Sequence, residues 1–178
     1  MYFCSYLRLS PPVNTSTTEQ PKKQCRKEST VYYRLRFAKS FCKVIDQAAE
    51  PQRIAKAFSE LRCVFGGAAI VPDVSIFRWE RIPRTSSGRI ANRFESPPDW
   101  AIEILSPDQA QTRPLEKLLH CVEHGTELGW LIDPEAESIL TLSSESQIKL
   151  FRETQALPVL MGLDLVLSVN DVFSWLHL

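Results

Sequence analysis

The chain has 178 residues, enough for one domain with a core of its own, and 44% hydrophobic against 24% charged residues is an ordinary globular balance. No apolar run approaches the roughly 18–20 residues that span a bilayer. Residues 1–10 lack the basic start, continuous apolar stretch and small-residue cleavage site of a secretory leader, so a cytoplasmic location is the default expectation. The formal net charge is zero, but residues 1–100 hold 17 Lys and Arg against 9 Asp and Glu, and residues 101–178 hold 4 against 12. That division either faces an anionic partner with the N-terminal half or is neutralised within the fold. The five cysteines are odd in number and form no Cys-x-x-Cys pair, which argues against a disulfide framework or a Cys-rich zinc site. Cys42, Cys63 and Cys121 sit among apolar residues and read as reduced core side chains.

In chain order, residues 10–30 are rich in Ser, Thr, Pro and Lys without an apolar period, and residues 1–30 read as an irregular or mobile arm preceding a domain at 31–178. From Val31, apolar positions Tyr32, Leu35, Phe37, Phe41, Val44, Ile45 and Ala48 recur mostly at spacings of three and four, predicting a helix that ends before Pro51. Arg34, Arg36, Lys39 and Lys43 decorate its other positions. Residues 63–65 form a short predicted strand, Gly66-Gly67 a tight turn, and 68–77 a longer strand. A polar connector over 80–98 leads to a strand at 99–105, so these two strands predict an antiparallel hairpin with a long connector. A helix is expected over 115–124, with Pro114 in its first turn and Gly125 past its end. A buried strand at 128–132, a hairpin of 139–142 with 148–151, a strand at 160–167 and a short final helix complete the chain. Ser168 and Asp171 stand at capping-box spacing before that helix. The order describes a mixed α/β sheet domain with helices packed on it.

Three residues carry chemistry. Asp73 follows Pro72 inside an otherwise apolar predicted strand, Glu103 interrupts the run Trp100-Ala101-Ile102-Glu103-Ile104-Leu105, and Lys117 lies on the next helix. A carboxylate in a buried strand costs free energy unless it is paired, hydrogen-bonded or bound to a cation. A hairpin folded about Gly88 sets positions 73 and 103 side by side. Cross-strand neighbours bring their Cβ atoms to about 4.5–5.5 Å, close enough for two carboxylates to share one divalent cation. Two acids and a lysine in that arrangement describe metal-assisted phosphodiester hydrolysis. The plainer alternative has Asp73 capping a turn, Glu103 paired with an arginine such as Arg78, and Lys117 solvated.

The blocks Pro72-Asp73-Val74, Glu103-Ile104-Leu105-Ser106-Pro107 and Glu116-Lys117-Leu118, followed by Gly125, Trp130 and Asp133-Pro134, resemble the Uma-type restriction-endonuclease family of the PD-(D/E)xK nuclease superfamily. The resemblance covers roughly residues 49–178, and its most specific piece is Glu-x-Leu-Ser-Pro with a lysine fourteen residues after the Glu. It implies a restriction-endonuclease-like fold, a central mixed sheet flanked by helices. It further implies Mg²⁺ (Mn²⁺ as an alternative) held by Asp73 and Glu103 with the Ile104 carbonyl, Lys117 as the catalytic cation, DNA as substrate and a homodimer that cuts both strands. No organic cofactor or membrane partner is expected. The usual Glu-x-Lys lysine is displaced: Leu105 stands two after Glu103, and Lys117 is the replacement. The acid with which the family opens its first helix has no counterpart around Tyr32, Tyr33 and Arg34, and Arg113 stands where an Asp often precedes the lysine.

Arg78, Arg81, Arg84 and Arg89, interleaved with Phe77 and Trp79, are candidate contacts to a phosphate backbone, against the alternative of a solvated loop. His120 and His124, four apart on a helix, have zinc-compatible spacing but few further ligands. Two functions therefore stand: a Mg²⁺-dependent DNA endonuclease, or a relative without catalysis that binds nucleic acid or protein.

Overall fold

The computed structural model describes residues 20–177 apart from positions 108 and 146, with side chains from Tyr32 onward. Helix α1 runs Gln20–Ala49, so the irregular arm expected over 1–30 gives way to helix at Gln20. Positions 1–19 of that expected arm lie outside the described residues. The stretch 22–28 carries Lys, Gln, Arg and Glu, which propagate a helix well, and Pro21 falls in the first turn, where its missing N–H costs nothing. Phe37, Phe41, Ile45 and Ala49, spaced by four, are fully buried and form the stripe that docks on the sheet.

The sheet has six strands in the order β1-β4-β5-β6-β7-β8: β1 (Ala55–Ser59), β4 (Val74–Arg78), β5 (Trp100–Ile104), β6 (Leu128–Asp133), β7 (Ser138–Ser143) and β8 (Ile148–Arg152). Only β5 and β6 pair in parallel, and α2 (Thr112–Glu123) is the crossover between them. Every other neighbouring pair is antiparallel. This is the mixed sheet with helices on it that the pattern predicts. One face carries Val74, Ile76, Trp100, Ile102, Trp130 and Ile132 against α1 and the C-terminal helix α3 (Val169–Ser174). The other carries Phe77, Ala101, Leu131 and Leu142 against Leu118 and Cys121 of α2. Phe41 meets Trp130 edge-on at 5.8 Å and Trp175 at 4.8 Å, which fixes α1 over the centre of the sheet. Among the described residues no helix is long and apolar enough to cross a membrane.

Two expected strands differ. The run 68–77 is not one strand: β3 (Ala68–Ile70) pairs with β2 (Cys63–Phe65) in a separate two-stranded sheet, and β4 begins at Val74. Pro72 has no N–H to give a ladder, and the break leaves Asp73 between the strands rather than inside one. The run 160–167 is irregular. Leu160, Leu163 and Leu167 are buried while Met161 and Val166 are exposed, a spacing that anchors a loop on the core, and Gly162 turns it at φ 91°. Strand β1 had no strong sequence signal, because its buried positions are two alanines, Ala55 and Ala57, which are weak strand formers.

The short helix α3 is held by its capping box. Ser168 Oγ accepts from the Asp171 amide at 3.2 Å, and Asp171 Oδ2 accepts from the Ser168 amide at 2.8 Å. Ser168→Ala is expected to cost about 1 kcal/mol, read as a lower midpoint in urea denaturation without a change in slope.

Candidate functional site

The β4–β5 ladder pairs Val74 with Ile102, and the next step of that register sets position 73 against position 103. Glu103 lies within β5 and Asp73 just before the start of β4, and both are almost fully buried, Asp73 at 4% and Glu103 at 3% exposure. Each is held by backbone or by a cation. Asp73 Oδ2 accepts from the Ile104 amide at 2.7 Å, and its Oδ1 accepts from the Arg34 guanidinium, reaching down from α1. Glu103 accepts from Lys117 Nζ with both oxygens, at 2.6 and 2.7 Å. The same ammonium donates to the Val71 carbonyl at 3.1 Å, which ties α2 to the segment just before Asp73.

The electrostatics follow from burial. Loss of water pushes the Glu103 carboxyl up, the neighbouring charge of Asp73 pushes it further, and Lys117 and Arg34 only partly oppose them, leaving it at about 7. Burial works against the Arg34 guanidinium, yet its hydrogen bond to Asp73 and the charges of Asp73 and Glu103 outweigh that and raise it. With Glu103 ionised, above about pH 7, two acids and two bases neutralise each other. The acids themselves are hard oxygen donors brought side by side by the β4–β5 register, a set that fits Mg²⁺ or Mn²⁺. Beside them lies a cleft of about 270 Å³, lined by Arg34, Lys39, Ser59, Glu60 and Asp73 among others.

Of the residues singled out in the sequence, Asp73, Glu103, Ile104 and Lys117 come together, Ile104 through its amide. Arg78 and Arg81 do not join them. Arg78 lies five residues from Asp73 along extended chain, roughly 16 Å at the usual rise per residue. It forks onto Glu127 with two bonds of 2.8 Å, and Arg81 pairs with Asp99, a carboxylate 1% exposed that also accepts the Arg78 amide at 2.7 Å. Both guanidiniums are thus committed to the far end of the β4–β5 pair, where they compensate Asp99 and Glu127. Arg84 lies over the Trp79 ring at 5.3 Å, and Arg89 is exposed. The sequence reading missed one contributor to the site, Arg34, and also Asp99, the buried acid that draws Arg81 away from it. Arg34 carried one signal only, a base where an acid was expected.

A second group stands on α2: His120, Glu123 and His124 offer ligand atoms within 4.8 Å of one another. His124 Nδ1 lies 2.8 Å from the His120 carbonyl, and His120 Nε2 lies 3.3 Å from the Phe65 carbonyl. Imidazole nitrogens suit a late transition metal rather than Mg²⁺. Among the described residues no fourth His, Cys, Asp or Glu joins this group.

Residues 35–170 match the model of family Uma2, described as "Putative restriction endonuclease". The chain belongs to the Uma2 family. The matched span contains Asp73, Glu103 and Lys117 and begins one position after Arg34. The chain is also similar to a protein from Anabaena variabilis ATCC 29413, whose crystal structure is described as that of a "putative nuclease belonging to DUF820". The two are 46% identical, the match covers 80% of this chain and 81% of that one, and the TM-score is 0.77. No curated protein matches the chain. Membership in Uma2 places the chain among nuclease-like proteins of the restriction-endonuclease type, and the mixed sheet agrees with it.

Proposed function

We propose that this Uma2 chain is a Mg²⁺-dependent endonuclease, with Mn²⁺ as an alternative ion, that hydrolyses DNA phosphodiester bonds. The observation that supports it most is the pairing of two buried carboxylates, Glu103 within β5 and Asp73 just before β4, with a lysine hydrogen-bonded to Glu103. Asp73 and Glu103, with the Ile104 carbonyl, are the residues that would hold the ion. The ion, when bound, supplies polarisation of a phosphate oxygen and a more acidic water. The chain's own groups do the rest. Lys117, held by Glu103 and Val71, presents an ammonium to the charge that develops on the phosphate. The Ile104 amide takes one Asp73 oxygen, which leaves the other for the ion. Arg84 and Arg89 remain for contacts to the DNA backbone, since Arg78 and Arg81 are committed elsewhere. Two copies acting together would serve the two strands of a duplex.

The test is calorimetric titration of Mg²⁺ and Mn²⁺ into the protein, with Glu103→Gln as control, followed by incubation with supercoiled plasmid. Saturable binding that Glu103→Gln removes, together with nicking that a chelator stops, is the expected result. Asp73→Asn that nicks at the wild-type rate would end this reading.

One observation favours a second reading. Arg34 already neutralises Asp73, as expected of a relative that keeps the fold and binds nucleic acid or protein without catalysis. Salt-dependent DNA binding without cleavage in either metal distinguishes it.

A further inference from the structure

The Arg34 pairing has a more specific meaning, one that rests on the metal-dependent reading just given. We propose that Arg34 is an internal counter-ion that competes with the metal for Asp73, so that an ion enters the site only as the guanidinium leaves.

Asp73 has two oxygens. Oδ2 is taken by the Ile104 amide of the neighbouring strand, a backbone bond of 2.7 Å that the sheet holds in place. Oδ1 accepts from Arg34. A cation that reaches Asp73 from the cleft meets Oδ1, and Oδ1 already carries a positive partner. Glu103 offers no easier approach, because Lys117 engages both of its oxygens. With Asp73, Glu103, Arg34 and Lys117 all charged, the group is neutral before any metal arrives. Adding a divalent ion without moving a base would crowd four positive charges onto two carboxylates in a poorly solvated site, where like charges repel strongly.

Of the two bases, Arg34 is the one able to leave. The Asp73 side chain is 5% exposed and the Arg34 side chain 43%, so the arginine is the partner that borders solvent. Its Nε is buried with no hydrogen-bond partner among the described residues, so the pairing leaves one desolvated donor uncompensated. The adjoining cleft gives the side chain room, and Glu60 on the same cleft wall lies within its electrostatic reach as an alternative partner. A phosphate is a second such partner, since guanidinium binds phosphate with the same two-pronged geometry as carboxylate. Lys117 has no comparable freedom, because Val71 and both Glu103 oxygens hold it.

The test is Mn²⁺ titration by calorimetry on the wild type, Arg34→Gln, Arg34→Lys and Asp73→Asn, with circular dichroism to confirm that each is folded. Charge-assisted hydrogen bonds contribute enough that removing the competitor should tighten Mn²⁺ binding about tenfold or more in Arg34→Gln. Arg34→Lys, which keeps the charge without the planar guanidinium, should fall between the two, and Asp73→Asn should abolish binding. Equal affinity in the wild type and Arg34→Gln, with binding still lost in Asp73→Asn, overturns the competition and leaves the metal-dependent reading standing. No saturable binding in either the wild type or Arg34→Gln overturns both.

Discussion

Lys117→Met is expected to lower the proposed DNA cleavage about 10²–10³-fold, the usual consequence of removing one preorganised donor from a charge-developing transition state. Two effects of the lysine contribute, and they separate by experiment. Its ammonium hydrogen-bonds both Glu103 oxygens. Burial and the Asp73 charge raise the Glu103 carboxyl, and the Lys117 charge is the largest influence opposing them. Without it Glu103 shifts further up, so at neutral pH more of the variant carries a protonated acid that holds metal poorly. That share of the loss is recovered at alkaline pH or at saturating metal. The share that comes from stabilising charge on the phosphate is not recovered by either, and appears as a lower kcat with an unchanged metal requirement. Lys117→Arg keeps a cation and should retain more activity than Lys117→Met. The side chain is 35% exposed, so the substitution leaves the core of α2 intact. Wild-type cleavage by Lys117→Met at saturating metal would remove the lysine from the mechanism.

The parts of this molecule that the sequence made legible are those set by local period and by turn position. Positions 73 and 103 are equidistant from Gly88, so a hairpin about that glycine pairs them, and the observed register of Val74 with Ile102 has the same midpoint. The spacing of Phe37, Phe41 and Ile45 marks the buried stripe of α1, and Ser168 with Asp171 marks the start of α3. What was not legible depends on packing between distant segments. Arg34 lies 39 residues from Asp73, and their meeting depends on how α1 crosses the sheet, which no pattern within the helix states. Arg78 and Arg81 read as a basic loop because their partners, Glu127 and Asp99, are brought to them only by the β4–β5–β6 arrangement. The run 160–167 shows the limit of counting apolar residues. Its buried positions are spaced by three and four, not two, and a loop anchored by leucines satisfies them as well as a strand would.

The position of the Glu103 carboxyl at about 7 makes stability, and the proposed metal binding, depend on pH in a definite direction. In the unfolded chain this acid ionises near its ordinary value of 4.5, and in the fold near 7. Between these values the folded protein holds a proton that the unfolded chain has released. The stabilisation from Glu103 is therefore complete below about pH 4.5 and is lost as the pH rises through about 7. The decline is about 3 kcal/mol, since a tenfold change in proton concentration is worth about 1.4 kcal/mol for each proton that the two states hold differently. Burial and Asp73 raise this carboxyl, and Lys117 and Arg34 lower it. A metal ion needs the ionised carboxylate, so it binds the state that this proton opposes. Mn²⁺ binding near pH 6 should release close to one proton, and near pH 9 close to none, measured by calorimetry in buffers of different ionisation heat. Saturating metal should also flatten the fall in denaturation midpoint between about pH 4.5 and 7, because it stabilises the ionised form. In Glu103→Gln both the pH-dependent decline and the proton release should disappear. Binding near pH 6 with no proton released would mean that Glu103 is already ionised in the fold, and that Lys117 outweighs burial at this site.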